Sequence, residues 1–386
     1  MRLSPRVCAL FLTFLAALAA PALTPERAEA QQPELIQIEA GQHFTCALDA
    51  EGGVWCWGIN LSGQLGDGTT ENRANPVQVQ GLDPAIAISA GGYHACALHE
   101  TGRVSCWGSN NQGQLGNGQS GVAVQSAPVT VLDLRNITAV AAGGQHTCAL
   151  NGRGRVFCWG DGYSGQLGLG SNEDFPVRQI VPGLTRVNAL SAGSATTCAT
   201  TRRSEEFCWG RNFAGLQGDG TGNATNVPTL LARDNMSDLD PASSHTCGLN
   251  ARGFLMCWGS NQYGQLGNPN AERRQYLPIR VNGLRRVRDF GTGHGSHSCA
   301  LTRTGRPFCW GWNALGQLGD GTFTDRGEPV PVFYSRLRYQ ELAVGSRHTC
   351  ALQTNNRVRC WGQGQYGQLG NGALDNSALP VFVRWP

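Results

Sequence analysis

Fourteen cysteines of this 386-residue chain fall into seven pairs whose members stand ten positions apart. Cys46 goes with Cys56, Cys96 with Cys106, Cys148 with Cys158, Cys198 with Cys208, Cys247 with Cys257, Cys299 with Cys309, and Cys350 with Cys360. Their first members recur at intervals of 50, 52, 50, 49, 52 and 51 residues. A period near fifty describes a stacked array of one supersecondary unit, each copy unable to bury its apolar face alone. An even, regularly spaced cysteine set reads as disulfides, here within each pair.

Each unit divides into four segments. A β-like run comes first, such as Ala85-Ile86-Ala87-Ile88-Ser89, followed in most copies by a small-residue turn. Two hairpin strands follow, Cys96-Ala97-Leu98 and Val104-Ser105-Cys106-Trp107 in the second copy, then a glycine-rich turn. A run led by proline closes the unit, as in Pro76-Val77-Gln78-Val79, since proline is tolerated at a strand's first residue. If Cys46 faces Cys56, Leu48 faces Val54 and the turn centres on Glu51. The sixth residue after each first cysteine is Gly52, Gly102, Gly154, Ser204, Gly253, Gly305 or Asn356. All but Ser204 are residues that accept positive φ in a hairpin loop. The last run, Pro380-Val381-Phe382-Val383, has no hairpin after it, and Ile36-Gln37-Ile38 has no proline run before it. The C-terminal strand is therefore expected to complete the first unit and close a ring.

Arg2 and Arg6 precede an apolar core from Val7 to Ala20, and Ala28-Glu29-Ala30 offers a small-residue cleavage site. The core is short for a bilayer span, which needs about 20 residues. Residues 1–30 are expected to be a secretory signal peptide and 31–386 the mature repeat array, secreted or periplasmic. The fifteenth cysteine, Cys8, falls inside that signal. Every basic residue is Arg, and the formal net charge is only +3, too small to advertise nucleic-acid binding. No stable membrane insertion is expected after cleavage, and the mature chain is expected to be a monomer.

Further positions recur with the cysteines. Trp57, Trp107, Trp159, Trp209, Trp258, Trp310 and Trp361 each follow the second cysteine and precede a glycine, which suits a ring filling the space between neighbouring sheets. Gly-Gln-Leu-Gly recurs at 63–66, 113–116, 165–168, 264–267, 316–319 and 367–370. A histidine stands two residues before the first cysteine at 94, 146, 245, 297 and 348, a framework position rather than a catalytic set. The run A-G-x-x-H-T-C-A-L, then V-x-C-W-G, then N-x-x-G-Q-L-G resembles the repeat of the regulator of chromosome condensation family, over about residues 34–386. The resemblance implies an all-β, seven-bladed propeller of four-stranded antiparallel blades around a central channel.

No hydrolase elbow, phosphate-binding loop, zinc-type cysteine spacing or dinucleotide fingerprint occurs, and no cofactor is implied. His294 and His297 form a weak H-x-x-H pair, and Gly-Asp-Gly-Thr at 66–69, 218–221 and 319–322 lacks the alternating carboxylates of a calcium loop. No metal site is expected. The fourth copy departs most: Thr196 stands in the histidine slot, Gly215-Leu216-Gln217-Gly218 inverts the motif, and Thr200 should face Glu206 where other copies place mostly apolar pairs. Two polar residues there are expected either to meet water or to form a ligand-facing patch. Candidate binding residues are therefore Thr200 and Glu206, with Tyr163, Phe213, Tyr263 and Tyr366 in the variable positions ahead of the glycine-rich turn, and Trp312.

The leading expectation is an exported, non-catalytic scaffold that binds a protein or other macromolecule through loops on one face. Exported propellers with similar repeats include a bacterial protein inhibitor of β-lactamase. The resemblance also implies a second possibility, nucleotide exchange on a small GTPase. A third is a polysaccharide-active enzyme using Glu206 and Asp219.

Overall fold

The structure is a computed structural model and describes residues 32–231, 236–333 and 337–386. The expected signal peptide, 1–30, lies outside the described residues. The strands form seven four-stranded antiparallel sheets, and each sheet is a meander in chain order. In the first, Leu35–Ala40, Phe44–Asp49, Val54–Gly58 and Arg73–Gln78 follow one another from inside to outside. Leu35–Ala40 packs against both Ala85–Ala90 and Tyr339–Val344, the first strands of the second and seventh sheets. First strands therefore surround one axis, and the molecule is a seven-bladed propeller.

The C-terminal strand does not complete the first blade. Ser377–Phe382 pairs with Val358–Gly362 of the seventh blade, placing Val381 opposite Cys360. The first blade has its own outer strand, with Val77 opposite Cys56. Each proline run lies in the outer strand of its own repeat, with the proline inside the strand rather than at its first residue, as Pro76 in Arg73–Gln78 and Pro380 in Ser377–Phe382. An edge strand can turn the missing N–H outward, so neither terminus needs the other to finish a sheet. The ring is shut by contacts between complete blades instead, main-chain bonds such as Gly372 N to Ala74 O at 2.9 Å among them. Leu35, Ile38 and Trp57 share one buried cluster with Leu352, Val358 and Leu369, and Leu35 N donates to Asn356 Oδ1 at 2.8 Å.

Within each blade the cysteine register holds. Cys46 opposes Cys56 and Leu48 opposes Val54, as Cys148 opposes Cys158 in blade three. Disulfides join Cys46 to Cys56, Cys96 to Cys106, Cys148 to Cys158 and Cys198 to Cys208. The last three blades repeat the bond, from Cys247 to Cys257, Cys299 to Cys309 and Cys350 to Cys360. Cα atoms in all seven are 4.0 to 4.1 Å apart, and such bonds persist in oxidising compartments. The sixth residue of every hairpin has positive φ, including Asn356 at 67° and Ser204 at 58°. Serine therefore holds a left-handed conformation that glycine adopts without strain.

At each blade joint one main-chain carbonyl accepts from buried side chains of the next blade. Trp209 of blade four donates from Nε1 to Gln166 O of blade three at 2.9 Å. Thr197 Oγ1 donates to the same carbonyl at 2.8 Å and lies 2.9 Å from His146 Nε2. The threonine hydrogen is committed to the carbonyl, so His146 donates through Nε2 and is the neutral Nε2–H tautomer. Burial, with a smaller push from His294, lowers its pKa to about 3. Phe44 occupies the histidine slot of blade one and Ala95 the threonine slot of blade two, so both polar members are replaced by apolar ones together. In blade four the inverted Leu216-Gln217 leaves the joint intact, because Leu216 O accepts from Trp258 at 3.0 Å and Thr246 at 2.8 Å. The acceptor is backbone, and any side chain carries one.

Thr197→Ala strips His146 Nε2 of its buried partner and should lower stability by about 1–3 kcal/mol in urea unfolding. Adding His146→Phe rebuilds the Phe44–Ala95 arrangement and should recover part of the loss. Ser204→Gly relieves the left-handed serine and should raise the melting temperature, by about 1 kcal/mol in stability.

Candidate functional site

Two loop sets share one face of the ring. The turn after each first strand carries a main-chain carbonyl that accepts from the loop after the third strand. Ile59 N donates to His43 O at 3.0 Å, Trp312 N to Ser296 O at 3.0 Å and Gln363 N to Arg347 O at 2.8 Å. Packing of neighbouring blades then brings side chains of these loops together. Tyr263 of blade five lies 6.3 Å from Trp312 of blade six, ring centroid to centroid. The Arg347 guanidinium of blade seven sits 5.8 Å over Trp312. His43 of blade one meets Tyr366 edge-on at 5.7 Å, and burial followed by the Arg347 charge lowers the His43 pKa. A partly exposed aromatic and arginine surface thus crosses blades five, six, seven and one.

Three of the expected binding residues, Tyr263, Trp312 and Tyr366, belong to that surface. Phe213 is 58% exposed and lies between Arg211 at 5.6 Å and Arg274 at 5.2 Å, a second cation–π group on the rim. Tyr163 stands 81% exposed on blade three. Arg347, His43, Arg211 and Arg274 carried no motif and were missed in the sequence; Arg347 was visible only as an arginine in a turn slot that holds Gln145 or Ser244 elsewhere.

Thr200 and Glu206 belong elsewhere. They oppose one another in the register expected, but both are buried, and Glu206 Oε1 accepts the Met236 main-chain N–H of blade five. The pair neither meets water nor faces a ligand, because the neighbouring blade covers it. Asp219 is also committed: its Oδ1 accepts from Thr221 N at 2.9 Å and from Asn212 Nδ2 at 3.2 Å, inside its own loop. Asp67 holds its loop in the same way. The polysaccharide-enzyme reading loses its carboxylates to these internal duties.

The axis encloses a cavity of about 410 Å³ whose lining includes Glu39, Asp240, Asp289, Glu341 and His294. First strands are edge strands with N–H groups that need partners, and the carboxylates supply them across blade joints. Ile38 N donates to Glu341 Oε2 at 2.9 Å, Leu342 N to Asp289 Oδ2 at 2.9 Å and Thr292 N to Asp240 Oδ2 at 2.7 Å. The acids fall on blades five, six, seven and one. At the position of Asp289 and Glu341 the other three blades carry Ala87, Ala139 and Ala189. Burial pushes Glu39 up to about 7, and burial with the nearby Glu39 charge pushes Glu341 to about 8. His294 lies in a turn one residue longer than its counterparts, since Cys299 follows Val287 by twelve positions and Cys46 follows Leu35 by eleven. Burial lowers its pKa to about 4, an effect the Ala90 backbone across the axis partly offsets. His297 is engaged with Thr349 at 2.9 Å. Among the described residues no group of three or more His, Cys, Asp or Glu could hold a metal ion.

The RCC1-like domain model matches residues 16–338, and regulator of chromosome condensation (RCC1) repeat models match 340–368 and 355–386. The chain belongs to the RCC1 family. Its relatives include the ultraviolet-B receptor UVR8 of Arabidopsis thaliana, 32% identical over 91% of this chain and 82% of the relative. The mitochondrial RCC1 domain-containing protein RUG3 of the same plant is 27% identical over 94% of this chain, which spans 61% of it. Solved RCC1 propellers share the fold. Human WBSCR16 superposes with a TM-score of 0.77 at 22% identity, over 86% of this chain and 95% of that one. Yeast RCC1 (Prp20), solved bound to Kap60, gives 0.77 at 19% identity, over 99% and 91%. Among the described residues of this RCC1 propeller no helix is long and apolar enough to cross a membrane.

The channel acids make stability depend on pH. A carboxyl whose folded pKa is raised favours the folded state in its neutral form, so its contribution is lost as pH rises from the ordinary glutamate range through the folded value. For Glu341 that window runs from 4.5 to about 8. Glu341→Gln keeps an acceptor for Ile38 N and removes the charge. Its melting temperature should exceed that of the unaltered protein above pH 8 and converge with it in acid.

Proposed function

We propose that this RCC1 propeller is an exported, non-catalytic scaffold that binds a protein through the face carrying Tyr263, Trp312, Arg347, His43 and Tyr366. The observation that carries the reading is the continuity of that surface over four blades, in loops held by main-chain bonds. Aromatic and arginine side chains dominate the energetics of protein interfaces, and loops on a rigid scaffold are where binding residues concentrate. One solved relative, yeast RCC1 (Prp20), supports a protein partner: one structure has it bound to Kap60, and another is described with its binding to Gsp1p and histones. Export is supported by the signal-like first 30 residues together with seven disulfides. Thr200 and Glu206 are left out of the binding surface because they are buried, while Phe213 and Tyr163 form its outer rim.

Capture from the periplasm or culture medium tests the assignment. The unaltered protein should retain a defined partner that the Trp312→Ala, Arg347→Ala double variant loses at unchanged melting temperature. Equal capture by both proteins would remove the face from consideration.

A further inference from the structure

The opposite face is built from the hairpin turns between second and third strands and from the segments that lead each outer strand to the next blade. Main-chain bonds lace the two together: Val187 N donates to Gly154 O at 3.2 Å, Arg202 N to Arg186 O at 2.9 Å and Arg303 N to Arg286 O at 2.8 Å. These bonds hold arginines side by side. Arg153, Arg155, Arg186, Arg202, Arg286 and Arg303 are all exposed there. None of the six forms a salt bridge among the described residues; those found, Arg73 with Asp67 and Glu71 and Arg326 with Asp320, belong to loops of the aromatic face. The exposed hairpin acids Glu51 and Glu100 stand on blades one and two. In the arc over blades three to six the described carboxylates of the hairpins and connecting segments are Asp133 and Glu205, the latter accepting from Thr201 Oγ1 at 3.0 Å. Like charges held together repel, so the arc is short of counter-charge. The net charge of +3 conceals the excess, because other carboxylates lie in the channel and in the opposite face's loops.

Two of these arginines are held in strained backbone. Arg186 has φ 59° and Arg286 φ 55°, in the left-handed region. The matching residue ahead of blade three is Asn136 at 55°, a type that tolerates this conformation. A long β-substituted side chain kept where Gly or Asn would remove the strain points to a use for that side chain.

We propose that this face docks on an anionic phospholipid surface. Hairpin tips occupy equivalent posts around a ring, so their arginines are presented on one broad face that suits a planar layer of phosphates better than the curved backbone of a duplex. Single-stranded nucleic acid would call for a row of stacking aromatics, whereas the described residues of this face offer Phe333, 46% exposed, and Phe254 covered by the Arg280 guanidinium, and the exposed Tyr163 and Phe213 lie on the other face. Ile36 and Ile86 begin the channel at this face and are 52% and 54% exposed, apolar groups suited to the headgroup boundary. Docked this way, the propeller turns its aromatic face toward the compartment.

Sedimentation of the mature protein, residues 31–386, with vesicles tests the proposal. It should pellet with vesicles of phosphatidylglycerol and phosphatidylcholine in equal parts at low salt, be released at high salt, and ignore pure phosphatidylcholine. Arg186→Gly with Arg286→Gly should melt at the same temperature or higher while partitioning roughly twenty-five-fold more weakly, about fivefold per charge. Arg202→Gln with Arg303→Gln, at positions without positive φ, should weaken partitioning similarly. No pelleting by the unaltered protein, undiminished pelleting by both double variants, or tighter binding to duplex DNA than to the anionic vesicles would each overturn the proposal.

Discussion

The carbonyl of the second residue in each glycine-rich turn is the joint on which this ring depends. At the joint between blades three and four, Gln166 O receives both the Trp209 indole and the Thr197 hydroxyl of the next blade. A buried carbonyl left unpaired would cost about 1–3 kcal/mol, so the tryptophan and threonine are tied to the turn that faces them. The same joint closes the ring, with Trp57 of blade one donating to Gln368 O of blade seven at 3.0 Å. A closed propeller follows without any strand being shared between the chain's ends.

Because the acceptor is main chain, the joint tolerates change in the side chains around it. Leu216 and Gln217 exchange places, and Gln217, buried at the leucine post, turns its amide to Gly210 O at 2.8 Å. Phe44 and Ala95 change together for the complementary reason: removing only one member of a buried polar pair strands the other. Departures from the repeat are therefore compensated repairs where they fall at joints. Where they fall in the outward loops, nothing in the joint restrains them, and the aromatic and arginine surfaces lie there.

The two faces and the channel divide the charges. Carboxylates that cap first-strand N–H groups concentrate on one side of the axis, arginines crowd the hairpin tips of blades three to six, and the aromatic face mixes arginines with rings. A ring of rigid blades lets these surfaces differ without altering the fold, since the exposed side chains of tips and loops lie outside the cores between blades. Binding on one face and attachment by the other can therefore coexist.

Much of the fold was legible before any coordinates. A ten-residue cysteine spacing with Gly or Asn at the sixth position admits one hairpin register, and Cys158, Cys208, Cys257 and Cys309 each meet the partner that spacing assigns. A period near fifty admits a stack of such hairpins. The sequence also put Thr200 opposite Glu206 correctly, but it could not say that Met236 of the next blade would cover the pair. Nor could it say whether Pro380-Val381-Phe382-Val383 completes its own blade or another, since a strand's partner is a long-range choice that local pattern does not encode. Tyr263, Trp312 and Tyr366 could be marked one by one. Only the closing of the ring brought them beside Arg347 and His43, and only the ring's two faces separated charges that nearly cancel when summed along the chain. The sequence by itself determined the unit, because hydrogen bonding and disulfide reach act within it. The tertiary structure decided the surfaces, because they are assembled from side chains that a full repeat or more of chain keeps apart.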